Sequence, residues 1–189
     1  MATLTRQVTA DNFLEVANLP EYADRSIELV EGELCEMPVT NNDHSEIESR
    51  LSTLIGYYVM LHKLGRTYSG NAGVIVERNP DGRDTVRGLD FVFLSAEKAP
   101  RRLPPGLIEI APDLVIEVIS PSNTADDTRL KVRQLLQAGC AQVWIVYPKL
   151  REVDVHSSDG IKTYGESDTL AAPDILPGFE IAVADIFPA

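Results

Sequence analysis

Cysteine, aromatic side chains, positive charge and long apolar runs are all scarce in this chain. Only two cysteines occur among 189 residues, Cys35 and Cys140. They form no CxxC pair and no evenly spaced framework. This excludes a disulfide-stapled scaffold and a thiolate zinc site, and makes a reducing cytoplasm the expected location. Each cysteine reads as a small buried residue rather than a nucleophile. The apolar run at 114–119 (LVIEVI) is interrupted by Glu117 and is far too short to span a bilayer, so no membrane partner is expected. Residues 1–6 lack an apolar h-region, so no secretory leader is expected. Lys and Arg number 17 against 29 Asp and Glu, a net charge of −12 at pH 7. That balance argues against gripping nucleic acid by bulk electrostatics, because neutralising phosphates needs cations. It leaves room for a local acidic site that recruits a divalent cation, which then meets a phosphate.

What is present is ordinary for a globular chain: 44 % hydrophobic and 24 % charged residues, with no internal repeat. The length suits one domain over 1–189 with a proper core. Residues 9–19 read as a short helix. Residues 27–30 and 33–37 flank Glu31-Gly32 as a hairpin. Apolar residues at Ile47, Leu51, Leu54, Ile55, Tyr58 and Leu61 mark one face of a long helix, with Asp43 and Glu46 as a capping box and Gly65 as its stop. Strands are expected at 66–77, 89–95 and 113–120, with a bend at Gly70 and Gly73. A helix over 124–138 follows, closed by Gly139, then a buried strand at 141–147. Residues 151–156 and 161–164 read as a second hairpin, and the tail over 176–181 as a short strand that docks Phe187. A strand–helix–strand unit implies a parallel pair, and the hairpins imply a mixed sheet.

Three residues stand out against this background. Glu117 interrupts an otherwise buried strand, on the same face as Val115 and Ile119. A lone carboxylate there must be paired, protonated or metal-bound, so a structural ion pair and a functional site are both open readings. Asp90 begins the strand DFVFL, a place where Asp is commonly a turn residue. Two acids on adjacent strands can nevertheless converge on one hard cation. Lys131 stands four residues after Asp127 on the second long helix, which by itself reads as a surface ion pair. Arg101-Arg102 is either solvated loop charge or a phosphate contact, and the solvated loop is the simpler reading.

Together these residues resemble the Uma-type endonucleases, a branch of the PD-(D/E)XK nuclease superfamily. The likeness runs through IELVEGEL (27–34), His44, VRGLDFVF (86–93), APDLVIEVISPS (111–122), Lys131, Ala138-Gly139, WIV (144–146) and LPG (176–178). It implies a restriction-endonuclease-like α/β fold: a mixed β-sheet flanked by helices, with extra hairpins. It also implies that Asp90 matches the aspartate of the PD element and Glu117 the acid of the (D/E)XK element. Ile119 occupies the usual lysine position, and Lys131 fits a lysine that has moved to the following helix. His44 and Glu28 match recurring positions near the site. Asp113 reads as a turn residue at the start of its strand. The chain departs from the pattern at Leu89, where proline is usual, at Tyr147, where aspartate is usual, and at Leu135, where tyrosine is common.

The resemblance implies Mg²⁺- or Mn²⁺-dependent hydrolysis of DNA. Asp90 and Glu117 would hold the metal, Lys131 would be catalytic, Glu28 and His44 would complete the site, and a homodimer is expected. The competing reading is a non-catalytic dimeric interaction protein on the same scaffold, which the acidic charge favours.

Overall fold

A computed structural model describes residues 7–22 and 24–188; residues 1–6, where the leader question arose, lie outside the described part. The chain order is α1 (Phe13–Ala17), β1 (Ser26–Val30), β2 (Glu33–Met37), α2 (Asn42–His62), β3 (Gly65–Glu77), β4 (Thr85–Ser95), β5 (Leu114–Val118), α3 (Ala125–Gln137), β6 (Gln142–Tyr147), β7 (Glu152–Ser157), β8 (Gly160–Tyr164), β9 (Thr169–Ala171), β10 (Glu180–Ala182) and a 3-10 turn η1 (Val183–Ile186). No helix among the described residues is long and apolar enough to cross a membrane.

An 8-stranded sheet runs β2-β1-β4-β5-β6-β7-β8, with β3 paired to β4. β5 and β6 are parallel and joined through α3, as the strand–helix–strand pattern requires. Strand alternation sends neighbouring residues to opposite faces. Phe91, Phe93, Ile116 and Trp144 meet Ile47, Leu51, Ile55 and Val59 of α2, together with Leu176, Phe179 and Phe187 of the tail. Leu89, Val92, Val115, Val143 and Ile145 meet Val132 and Leu135 of α3. The sheet is therefore sandwiched between α2 and α3, and a smaller cluster of Phe13, Ile27, Leu29 and Val86 seats α1.

One departure from regularity places the site. β1 and β5 share the same edge of β4. β1 touches it at Leu29↔Val86, while β5 pairs from Phe91 to Phe93. Residues 87–90 have no strand neighbour on that edge among the described residues, so the sheet forks there. On the other edge the β3–β4 register shifts between Ser69 and Ala72, at a bulge with Gly70 (φ 75) and Asn71 (φ 64) in the left-handed region.

The structure corrects several expectations. β4 begins at Thr85 rather than Leu89, because β3 pairs along its whole length, so Asp90 lies within the strand instead of opening it. The cap of α2 is Asn41, whose Oδ1 accepts from His44 N–H at 2.9 Å, while Glu46 pairs with Arg50. Lys63 (φ 54) ends α2, and Gly65 already belongs to β3. The first helix covers only Phe13–Ala17. β5 stops at Val118, and β9, not anticipated from the sequence, pairs with β10. The Glu31-Gly32 hairpin holds, with both residues at positive φ (50 and 85).

Candidate functional site

Backbone groups exposed by the fork need partners, and side chains supply them. Gly88 N–H donates to Glu28 Oε1 at 3.0 Å, and the Gly88 carbonyl accepts from Lys131 Nζ at 3.2 Å. Asp90 N–H donates to Glu117 Oε1 at 3.2 Å, and Val118 N–H donates to Asp90 Oδ2 at 2.8 Å. Each of the two acids thus holds the backbone of the other's strand. A Cβ on Gly88 would come within 1.9 Å of Asn71 Oδ1, so the bulge on β3 requires glycine beside the fork.

Alternation turns Glu117 toward α3, where Lys131 meets it. Lys131 Nζ lies 2.8 Å from Glu117 Oε2 and 3.1 Å from Glu28 Oε1. The surface-pair reading of Lys131 with Asp127 is therefore corrected. Asp127 faces the helix cap instead: its N–H donates to Thr124 Oγ1 at 3.1 Å, and its Oδ2 accepts from the same hydroxyl at 2.5 Å. Glu28 is buried and also pairs with Arg87 Nη1 at 2.8 Å. Arg87 in turn donates from Nε and Nη2 to Gln134 Oε1 at 3.1 and 2.6 Å.

On the α2 side, His44 Nε2 lies 3.4 Å from Asp90 Oδ1 and 3.8 Å from Glu48 Oε2. Both ring nitrogens of His44 are buried without a hydrogen-bond partner. Glu48 Oε1 accepts from Gly70 N–H at 3.1 Å, which ties the helix to the bulge. One ligand atom each from His44, Glu48 and Asp90 can gather within 4.8 Å of the others. An orphaned imidazole nitrogen facing carboxylate oxygens is a donor set that fits a divalent cation. Glu117 borders this trio, with its two oxygens engaged by Asp90 N–H and Lys131.

Charge and burial act together here. Burial pushes the Glu117 carboxyl up to about 7, against the Lys131 ammonium and with Asp90 adding to the rise. Burial works to lower the Lys131 pKa, but the carboxylates of Glu117 and Glu28 reverse this and hold it above the ordinary lysine value. Burial likewise opposes charge on His44, and Asp90 and Glu48 overcome it, so its pKa rises. Glu48 is raised by burial and by Asp90.

His44, Glu48, Asn71, Asp90, Glu117 and Lys131 line a cleft of about 340 Å³. A second cleft of about 330 Å³ lies beyond Glu117 and Lys131, against β2 and the start of α3. A larger surface cavity of about 640 Å³, lined by residues such as Arg50, Tyr57 and Phe179, shares no residue with the cluster. The five residues singled out in the sequence — Asp90, Glu117, Lys131, Glu28 and His44 — all meet at the fork. Sequence reasoning missed Glu48, Arg87 and Gln134. Glu48 was readable as the residue one helical turn after His44. Arg87, a cation in an apolar strand, posed the same burial problem as Glu117. Asp113 behaves as its strand-start reading suggests: its Oδ2 accepts from Ser95 N–H at 2.6 Å.

No protein of curated function matches the chain. A solved structure, described as a "putative nuclease belonging to DUF820 from Anabaena variabilis ATCC 29413", is similar with a TM-score of 0.78 and 22 % identity, covering 95 % of this chain and 97 % of that one. The observed fold is thus the restriction-endonuclease-like mixed sheet flanked by helices that the sequence led us to expect. A family model, Uma2, described as "Putative restriction endonuclease", matches residues 11–184, and the chain belongs to that family.

Proposed function

We propose that this protein is a divalent-metal-dependent endonuclease that hydrolyses DNA phosphodiester bonds at the Asp90–Glu117–Lys131 cluster. One observation carries the reading: Asp90 and Glu117 meet across the β4–β5 fork, with the Lys131 ammonium against one and the unpartnered His44 ring against the other. A bound Mg²⁺ or Mn²⁺ supplies positive charge for the phosphate and lowers the pKa of water. Asp90 would hold the metal through Oδ1, with Glu117 beside it and with His44 and Glu48 in reach. Mg²⁺ favours an all-oxygen shell, so the imidazole tilts the set toward Mn²⁺. Lys131, kept charged by Glu117 and Glu28, orients the nucleophile and offsets the negative charge that builds on the phosphate. Glu28 is buried and acts on the placement of Lys131 rather than on substrate.

DNA as substrate rests on membership of the family. A homodimer belongs to the same reading, since a two-fold pair presents one cluster to each strand of a duplex. The test is plasmid cleavage by pure protein with Mn²⁺, Mg²⁺ or chelator, alongside Glu117→Gln and Lys131→Ala. We expect metal-dependent nicking by the wild type, faster in Mn²⁺, and a loss on the order of a hundredfold in each variant. Equal activity in all three proteins would sink the site assignment. Inactivity of pure wild type in every metal would return the chain to the interaction-protein reading.

A further inference from the structure

We propose that the groove between α2 and β3 is the track along which one DNA strand leaves the cluster, ending on Lys63, Arg66, Arg101 and Arg102. The proposal rests on the nuclease reading for its occupant. β3 turns back directly after α2 and runs alongside it toward the fork, and Gly70 of β3 reaches Glu48 of α2 at 3.1 Å. The two elements pack into a seam that opens as one cleft at Glu48, Gly70 and Asn71 and as another at Gly56, Lys63, Arg66 and Thr67, and the path runs over this seam. At about 1.5 Å per helical residue the path is roughly 22 Å long. That length matches about six nucleotides of one strand at roughly 3.4 Å each.

The charge along the path is unlike the rest of the molecule. The chain carries 29 acids, yet neither 49–62 nor 65–76 contains an Asp or Glu. The α2 wall is Ser52, Gly56 and Met60, spaced at one turn, leading to Lys63. The β3 wall offers Thr67, Ser69 and Asn71. Small and hydroxyl side chains let a sugar-phosphate backbone approach closely and offer it hydrogen bonds.

The far end is cationic by construction. Arg66 Nε donates to the Arg101 carbonyl at 2.9 Å, which fastens the loop carrying Arg101 and Arg102 against β3. Gly56, Met60, Lys63, Arg66, Thr67 and Pro100 are among the residues lining a cleft of about 330 Å³ there. Among the described residues, none of Lys63, Arg66, Arg101 and Arg102 forms an ion pair. The acid nearest in sequence to the loop is Glu97, exposed in the turn after β4. Cations left unneutralised in a chain of net charge −12 suit a polyanion that the rest of the surface repels.

The test is fluorescence anisotropy of a labelled duplex with the full chain in Ca²⁺, across a salt series. Wild type is compared with Lys63→Gln/Arg101→Gln/Arg102→Gln and with Arg129→Gln/Arg133→Gln on the exposed face of α3. Thermal melts followed by circular dichroism check that each variant is folded. Hydrolysis of bis(p-nitrophenyl) phosphate in Mn²⁺ reads the cluster without engaging the groove. Four phosphate contacts predict a loss of about 150-fold in wild-type affinity between 50 and 200 mM salt, and the groove variant, which keeps only Arg66, should flatten that dependence. We expect the groove variant to lose DNA affinity at least tenfold at low salt while keeping small-ester hydrolysis, and the α3 variant to match wild type. Unchanged binding by the groove variant, loss in the α3 variant instead, or no binding by wild type at low salt each overturns the proposal. Groove-dependent binding without any ester hydrolysis removes the nuclease reading and leaves the groove standing.

Discussion

Arg87 and Glu28 form an ion pair at 2.8 Å with side chains only 8 % and 1 % exposed. Removing one partner of such a pair leaves a charge stranded in a poorly solvated place, which costs more than the pair itself contributes. Arg87→Met should therefore destabilise the fold by about 3–5 kcal/mol in urea titration. Without Arg87, Lys131 is left to offset both Glu28 and Glu117, so removing the surplus negative charge by adding Glu28→Gln to Arg87→Met should restore part of the loss. A double variant no more stable than the single one would contradict this account.

Gly88 and Asn71 occupy one space from two sides. Gly88→Ala drives a Cβ toward Asn71 Oδ1 on a bulge that has little freedom to yield. We expect a loss of about 1–3 kcal/mol, typical of overpacking. Asn71 has φ 64, so Asn71→Gly removes the obstructing amide without straining the backbone. Thermal melts of the two singles and the double should show rescue.

Metal binding should appear as stability. A ligand that binds only the folded state at about 100 times its Kd adds roughly 2.7 kcal/mol. Differential scanning fluorimetry in Mn²⁺ should raise the Tm of wild type, and Asp90→Asn or His44→Ala should abolish that rise. A shift retained in both variants would place the ion elsewhere.

His156 gives a pH dependence away from the cluster. Its Nε2 is buried and unpartnered, and burial lowers its pKa below 6.5, with Asp154 opposing. A group with a depressed folded pKa is more easily protonated in the unfolded chain. Its contribution to stability is full above the unfolded pKa of about 6.5 and is lost as pH falls through the folded value. Chemical denaturation at several pH values below 6.5 should show a shallower decline for His156→Gln than for wild type.

The long elements were legible because local chemistry decided them. Thr124 and Gly139 bracket α3 as expected, and α2 buries Ile47, Leu51 and Ile55 of its expected stripe together with Val59, while Leu54 and Leu61 of that stripe stay exposed. Glu117 announced itself by breaking an apolar strand. What was illegible depended on long-range pairing. Gly88 looks like a strand breaker until β3 lies beside it, so the true start of β4 and the inner position of Asp90 were hidden. Lys131 could not be told from a partner of Asp127, because both Glu117 and Glu28 are remote in sequence. Gln134 carries no local sign of its role: only the fold turns it toward Arg87.

The fork carries one more consequence. Where β1 and β5 part from β4, the strand edge is closed by Glu28, Glu117, Asp90 and Lys131 rather than by backbone. Any ligand that draws the Glu117 carboxylate toward itself must loosen the Asp90 amide. The cohesion of this corner and the occupancy of the cleft are then two readings of a single equilibrium. The Asp90 N–H is a built-in gauge of it, readable by amide exchange before any product is formed.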